Sequence, residues 1–327
     1  MRIVLCYPVE PKHIAQIQAV VPEAEITNAS QQSIPDDILE ADIYCGHSKE
    51  RPIDWSRVVA QGRLRWIQSS AAGLDHCLAP EVVKADEIIV TSASGVLADQ
   101  VAEQTMALLT GVLRSLPTFF RAQQKHEFIR RPTRDLHRKT IGIIGFGGNG
   151  RRLAEVLRPY KGTIIATDWF PTDKPETVDE LWSAERNEEL IAKSDILILA
   201  APLTEKTRGM INARTLSSMK VSAVLINVAR GKLVIEKDLV AALQAGKLAG
   251  FGTDVTEVEP LATESPLWDL PNVIITPHVG GQCQWRIDDM TDFFCENLRR
   301  RLQNRPLVNL VDKRLGFPAW TPRTTGA

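Results

Sequence analysis

Short apolar runs alternate with amphipathic stretches along almost the whole chain. Ile3–Cys6, Ala41–Cys45, Leu64–Gln68 and Ile88–Thr91 read as strands, with helices at His13–Val20 and Asp36–Glu40. Leu97–His126 is the longest helical candidate. Val101, Thr105, Leu108, Leu109, Val112 and Leu116 recur there at helical spacing, and Pro117 is expected to break or kink it. It reads either as a plain core helix or as a spine and dimer surface between domains. Further on, Thr140–Ile144, Thr163–Asp168, Ser194–Leu199, Val221–Val228, Leu248–Asp254 and Val273–Thr276 read as strands. Pro171–Pro175 is a loop, and Val178–Leu190, Asn212–Ser217 and Glu236–Ala245 are helices, the last closed by Gly246. From Gln282 to Asn304 the chain is helical again, with Ile287, Met290, Phe294 and Leu298 on one face, and residues 305–327 form a tail rich in proline and turn residues. Strand and helix in alternation imply parallel strands joined by crossovers, an α/β architecture.

At 327 residues the chain exceeds a typical single core, so two domains are expected. A net charge of −1, with 44% hydrophobic and 24% charged residues, is ordinary for a globular protein and gives no basic excess for nucleic acid. The apolar run ended by Pro8 is too short for a signal-peptide core, and no run approaches the roughly 18 residues needed to span a membrane. Cys6, Cys45, Cys77, Cys283 and Cys295 are scattered without a Cys-x-x-Cys, so neither a disulfide framework nor a metal site is expected. A cytoplasmic location follows as the default.

The stretch Thr140–Asp168 changes this picture most. An apolar strand runs into Gly145-Phe146-Gly147-Gly148-Asn149-Gly150, a Gly-x-Gly-x-x-Gly turn opening a helix, and a second strand ends in Asp168, 18 residues after the last glycine. That context marks a dinucleotide-binding fold. Gly145 allows the tight turn, Gly147 lets a pyrophosphate reach the backbone, and Gly150 lets the helix pack on the sheet. The helix start attracts phosphate through its free N–H groups and dipole. Asp168 can accept hydrogen bonds from both ribose hydroxyls; the bland alternative is a turn residue at a strand end. Six strands counted from Thr140 suit two mononucleotide halves. A motif starting near residue 140 leaves a separate domain ahead of it. There Ser69–Leu78, rich in small residues after a strand, is either a ligand-facing backbone loop or a simple tight turn.

Arg230, Glu259 and His278 each follow a predicted strand end, where an open parallel sheet gathers ligands. An arginine grips a planar carboxylate, a histidine moves protons near neutral pH, and a carboxylate behind it fixes its tautomer. Singly they read as a surface ion pair, a solvated loop acid and a packing histidine; together they favour catalysis.

These residues give the chain its resemblance to the D-isomer-specific 2-hydroxyacid dehydrogenases. The similarity covers nearly the whole length and is most specific from Val90 to Gly281. It rests on Thr91–Val96 with Val101-Ala102-Glu103, on Gly142–Gly147, and on Pro202-Leu203-Thr204 with Thr207-Arg208-Gly209. Asn227–Gly231, Asp254 five residues before Glu259, and Pro277–Gly281 complete it. The resemblance implies two doubly wound parallel-sheet domains, a Rossmann NAD-binding domain (99–281) inserted into a flavodoxin-like substrate domain (1–98 and 282–327). It implies that Arg230 binds the substrate carboxylate and keto oxygen, that His278 is the acid/base on the C2 oxygen beside the nicotinamide, and that Glu259 tunes it. Backbone amides around Ala72, Gly73 and Leu74 are implied to complete the carboxylate site. Gly148 and Asn149 are implied to touch the pyrophosphate and Asp168 the ribose. Ala201, Pro202, Val228 and Ala229, with Arg230, Asp254, Gly280 and Gly281, are implied to line the adenine and nicotinamide ends, the carboxamide meeting Asp254. Homodimers through the NAD-binding domain are implied as well.

Departures are visible. Gly148-Asn149 stands where many relatives have Arg-Ile, and Gln282-Cys283-Gln284-Trp285-Arg286 replaces a commoner small and acidic pattern. Trp285 and Arg286 read as a helix start packed on the other domain, or as a pocket or dimer contact. Asp168 repels a 2′-phosphate, and Trp169-Phe170-Pro171 offers no cation before Lys174, so NAD is expected over NADP. The expected reaction is hydride transfer between nicotinamide and C2 of a 2-oxo or D-2-hydroxy acid. The alternative is a catalytically weak NAD(H)-sensing, corepressor-like protein of the same fold. Formate dehydrogenases lack an acid at the Glu259 position, and adenosylhomocysteine hydrolases are longer chains with their own lysine and cysteine chemistry.

Overall fold

In the computed structural model, which describes residues 1–318, the chain divides into two compact units: Met1–Leu97 with the segment from Cys283 onward, and Ala98–Gln282. Among the described residues no helix is long and apolar enough to cross a membrane.

The first unit carries β1 (Arg2–Cys6), β2 (Glu25–Asn28), β3 (Ile43–Gly46), β4 (Trp66–Ser69) and β5 (Ile89–Thr91), with α1 (Pro11–Val20), α2 (Ile34–Asp37), α3 (Trp55–Gln61) and α4 (Pro80–Lys84) between them. All pairings are parallel, in the order β2-β1-β3-β4-β5, which is the flavodoxin-like order. β3 and β4 are buried along their whole length and read as strands from their apolar runs. The edge strand β2, Glu-Ile-Thr-Asn, has no fully buried residue, so hydrophobicity alone does not reveal it. The helix Arg286–Leu302 belongs to this unit. Its Met290, Phe294, Cys295 and Leu298 share a core with Ile3, Leu5, Ile17 and Trp66. Polar ties reinforce it: the Tyr7 and Thr291 hydroxyls lie 3.1 Å apart, and Asn297 Nδ2 donates to Gln68 Oε1 at 3.1 Å. In the tail, Val311–Asp312 pairs with Phe317–Pro318, and residues 319–327 of the predicted tail lie outside the described residues.

The second unit opens with α5 (Ala98–Leu113) and α6 (Leu116–Gln124). Its strands are β6 (Thr140–Ile144), β7 (Thr163–Asp168), β8 (Glu180–Ser183), β9 (Ile196–Leu199), β10 (Val224–Asn227), β11 (Gly250–Thr253) and β12 (Val273–Ile275). Between them run α7 (Gly148–Leu157), α8 (Asn187–Lys193), α9 (Ala213–Ser218) and α10 (Glu236–Gln244). The parallel order β12-β11-β10-β9-β6-β7-β8 reverses direction between β6 and β9, the switch point of a doubly wound sheet.

Two expectations are corrected here. The helix expected over Val178–Leu190 is instead β8 followed by α8, giving seven strands rather than six. β8 pairs on one side only, and Arg186 lies over the Trp182 ring at 3.6 Å, so the segment needs no continuous apolar run. The long helix from Leu97 breaks at Ser115, which is left-handed at φ 56°, and not at Pro117. Pro117 sits in the first turn of α6, where its missing N–H costs nothing. Gly246, at φ 65°, closes α10 as expected.

One device recurs in both units. Asp42, Asp179 and Asp195 each stand just before a strand and clamp the start of its neighbour. Asp42 accepts from Arg2 N at 2.6 Å, Asp179 from Ile164 N at 2.7 Å and Asp195 from Thr140 N at 2.9 Å. Each also donates its own N–H to the carbonyl of that same residue, at 2.8–2.9 Å. Burial raises these carboxyls, but the N–H donors together with Arg63, Arg158 and Lys220 outweigh it and hold all three below the ordinary aspartate range. A depressed folded-state value means the stabilisation is present at neutral pH and is lost as pH falls through that value. The stability gap between wild type and Asp195→Asn should therefore be widest near neutrality and shrink below about pH 4, as urea midpoints at a series of pH values will show. A gap that does not change with pH would remove Asp195 from this role.

Candidate active site

In the first unit, β3 and β4 end side by side, with Gly46 opposite Ser69. The chain then folds back on itself. Ser69 Oγ accepts from Ala71 N at 3.0 Å and donates to Ala71 O at 2.9 Å, and His76 Nε2 lies 3.3 Å from the same oxygen. His76 stacks on His47 with ring centroids 3.9 Å apart, and its carbonyl accepts from Trp55 Nε1 at 2.9 Å. Leu74 is buried in the core of the unit. Ala72 and Gly73 thus lie in a loop pinned at Ser69, Leu74 and His76, with Ala72 exposed at its crest.

In the second unit the glycine turn is built on close backbone contacts. Gly145 is left-handed, at φ 94°, and a Cβ there would lie 2.6 Å from the backbone of Ala201, so the turn off β6 rests directly on the end of β9. A Cβ on Gly150 would lie 2.1 Å from the Gly145 carbonyl oxygen, which sets how closely α7 approaches the turn. Nothing lies within 4 Å of a Cβ on Gly147, and no side chain caps α7. This is an open cradle at a helix start, with Gly148 and Asn149 in the first turn. It fits a nicotinamide dinucleotide's pyrophosphate.

Asp168 ends β7. Its Oδ2 accepts from Phe146 N at 2.8 Å and its Oδ1 from Phe170 N at 2.9 Å. The second bond is the local strand-end turn foreseen as its bland reading; the first ties the carboxylate to the glycine loop. A carboxylate has about four acceptor sites, so these two bonds do not saturate it. The expectation that no cation stands near Asp168 before Lys174 holds only along the chain. The fold brings Arg151 from α7 against the Phe146 ring at 4.9 Å and onto the Asp173 carbonyl at 3.2 Å. It also sets Lys206 over Trp169 at 4.1 Å. Burial lowers the Arg151 guanidinium below the ordinary arginine range, while the charges of Asp168 and Asp173 favour its cation.

The three polar residues follow adjacent strands, β10, β11 and β12. After β10, buried Asn227 accepts from Ala229 N at 3.1 Å and donates to the Arg230 carbonyl at 2.9 Å, folding the Val228–Arg230 turn over itself. Arg230 Nη1 donates to the Ala229 carbonyl at 2.7 Å. The next residue, Gly231, touches the loop after β11 so closely that a Cβ would lie 1.8 Å from the Thr256 carbonyl oxygen. That contact fixes the Arg230 loop against the Glu259 loop. Glu259 Oε1 accepts from Thr256 N at 3.2 Å, and its Oε2 lies 2.8 Å from His278 Nδ1.

His278 is itself left-handed, at φ 56°. Asp254, 3% exposed, holds it there. The Asp254 carbonyl accepts from His278 N at 2.8 Å, Oδ1 from Val279 N at 3.0 Å and Oδ2 from Gly280 N at 2.7 Å. Gly280 lies against the carboxylate because a Cβ there would stand 2.9 Å from Oδ2. Asp254, expected to meet a carboxamide, is therefore first of all the anchor of the histidine turn. Asn227, Arg151 and this anchoring role were not visible in the chain; only the position of Asn227 at a strand end hinted at one of them.

Comparison with known proteins identifies the family. A family model described as D-isomer specific 2-hydroxyacid dehydrogenase, NAD binding domain, matches residues 106–280. A glyoxylate reductase of Thermococcus kodakarensis is 34% identical over 283 residues, covering 82% of this chain and 84% of that protein. The human glyoxylate reductase/hydroxypyruvate reductase is 34% identical over 269 residues, 80% of each chain. A D-isomer specific 2-hydroxyacid dehydrogenase of Xanthobacter autotrophicus Py2, solved with NADPH and MES, superposes with a TM-score of 0.80 at 28% identity, covering 97% of this chain and 99% of that one. The chain belongs to the D-isomer specific 2-hydroxyacid dehydrogenase family and is a nicotinamide-dependent oxidoreductase.

Proposed function

We propose that the protein reduces a small 2-oxo acid to its D-2-hydroxy acid, and runs the reverse reaction, with His278 as the acid/base. The observation that carries this is the 2.8 Å contact between His278 Nδ1 and Glu259 Oε2. With Nδ1 engaged by the carboxylate, Nε2 is the nitrogen left to face a substrate. In reduction Nε2 gives its proton to the C2 oxygen, and Glu259 stabilises the imidazolium that must exist beforehand. Arg230 grips the substrate carboxylate, and the backbone of Ala72, Gly73 and Leu74 supplies further donors. When bound, the nicotinamide supplies or takes the hydride. Gly145, Gly147, Gly148, Asn149 and Gly150 hold its phosphates and Asp168 its adenosine ribose. Ala201, Pro202, Val228, Ala229, Asp254, Gly280 and Gly281 line the rest of the cofactor site. Residues 99–281 form the cofactor domain and the remainder the substrate domain.

Relatives named as glyoxylate and hydroxypyruvate reductases support small 2-oxo acids as the first substrates to assay. NAD is the proposed cofactor because a 2′-phosphate would meet the Asp168 carboxylate. Exposed Phe120, Phe128 and Trp268 in the second unit, with 57%, 96% and 48% of their surface accessible, support a homodimer through that unit.

Arg230→Ala should lower kcat/KM for glyoxylate by about 1000-fold while NADH still binds, measured by loss of reduced-nicotinamide absorbance and by fluorescence titration. Full activity in the variant would remove the guanidinium from the site. No turnover by the wild type across a 2-oxo acid panel, with tight NADH binding, would instead favour a binding role. Asp168→Ala should shift the NADH-to-NADPH ratio of kcat/KM by about 10-fold or more toward NADPH. An unchanged ratio would mean that Arg151, Lys206 or other groups decide the choice.

A further inference from the structure

The histidine turn does not end at Asp254. Thr276 Oγ1 lies 2.6 Å from Asp254 Oδ1, and Gln104 Nε2 lies 2.7 Å from that same hydroxyl. The direction of this chain is forced. A carboxylate oxygen accepts, and Asp254 Oδ1 at 2.6 Å is much closer to the hydroxyl than its other acceptor, the Thr253 carbonyl at 3.5 Å, so the single hydroxyl proton of Thr276 goes to Asp254. The hydroxyl then accepts, and Gln104 must present its amide N–H₂ to it. Gln104 lies on α5, far from β12 in sequence, and its Cγ would be 3.5 Å from a Cβ on Gly280. One polar chain therefore runs from α5 through Thr276 to Asp254, and from Asp254 to the N–H groups of His278, Val279 and Gly280.

We propose that Thr276 and Gln104 are positioning residues for the acid/base histidine, acting through Asp254. This rests on the proposal that His278 carries the proton. The physical case is that the Asp254 carboxylate must hold two consecutive N–H groups, Val279 and Gly280, directly behind a left-handed histidine whose own N–H goes to the Asp254 backbone carbonyl. Oδ1 is shared between Val279 N and the Thr276 hydroxyl, and Oδ2 takes Gly280 N. Without that hydroxyl the carboxylate can rotate toward whichever donor remains. The turn loosens, and the imidazole drifts from Glu259. Proton transfer is sensitive to displacements well under an ångström, so the loss falls on the chemical step.

Thr276→Val keeps the volume and removes the hydroxyl; Thr276→Ser keeps the hydroxyl; Gln104→Leu removes the outer donor. Thr276→Val is expected to lower kcat about 10-fold with KM for NADH within about twofold, and Gln104→Leu to do the same more weakly. Thr276→Ser should restore most of kcat. The isotope effect with NADH deuterated at the transferred position should rise in Thr276→Val, whereas partial unfolding lowers apparent kcat without changing it. Without turnover, diethyl pyrocarbonate should ethoxycarbonylate His278 several-fold faster in Thr276→Val, read by peptide mass spectrometry against the other histidines. Wild-type kcat and wild-type His278 reactivity in Thr276→Val would overturn the proposal. His278→Gln measured alongside separates the two levels. If it retains full activity, the acid/base assignment itself fails; if it is inactive while Thr276→Val is normal, only the relay fails.

Discussion

A buried carboxylate that must be satisfied is the constraint from which the candidate site follows. Asp254 is 3% exposed, and an ionised group so placed is costly unless donors surround it. Its donors are the Thr276 hydroxyl and the backbone N–H groups of the turn after β12. The carboxylate takes the N–H groups of Val279 and Gly280 while the Asp254 backbone carbonyl takes that of His278; this requires the chain to reverse sharply, and His278 takes a left-handed conformation to allow it. That conformation costs a non-glycine residue about 1–2 kcal/mol. Charge-assisted bonds to a buried carboxylate are roughly twice as strong as neutral ones, so the exchange favours the turn. The same geometry that satisfies Asp254 points the imidazole at Glu259.

Close backbone approach does the rest. The loops after β10 and β11 meet where Gly231 lies against the Thr256 carbonyl, and those after β6 and β9 meet where Gly145 lies against Ala201. Neither contact tolerates a side chain. Each glycine thus joins two loops from neighbouring strands, and groups far apart in sequence inherit fixed spacing from the sheet itself. Parallel pairing makes this general, because every strand delivers its loop to one edge.

The fully buried elements were legible in the sequence because burial on both faces writes continuous apolar runs, as in Ile141–Ile144 or Ile196–Leu199. Edge strands were not. β2 and β8 pair on one side, carry polar residues, and give no such signal. The break in the long helix was misplaced because proline is disruptive only where its N–H is needed, and the first turn of α6 does not need it. At the site, Arg230, Glu259 and His278 were readable from their places after strand ends. What holds them was not: Asn227, Asp254, Thr276 and Gln104 act through hydrogen bonds whose partners only the folded chain supplies. Arg151 escaped for a similar reason, since it reaches the Asp168 turn across a helix and not along the sequence.

The Glu259–His278 pair is itself 41% and 48% exposed, and an ion pair in that much water contributes little to its own geometry. Mutual attraction therefore cannot be what aligns it. The alignment comes from the backbone on either side: Thr256 N holds Glu259 Oε1, and Asp254 holds the histidine turn. An arrangement built this way is ready before any ligand arrives, yet weakly coupled electrostatically while water surrounds it. Excluding that water lowers the local dielectric and strengthens the coupling without moving an atom. On the proposed assignment, the carboxylate's support for the imidazolium is then greatest when a substrate covers the pair, which is when the proton must move.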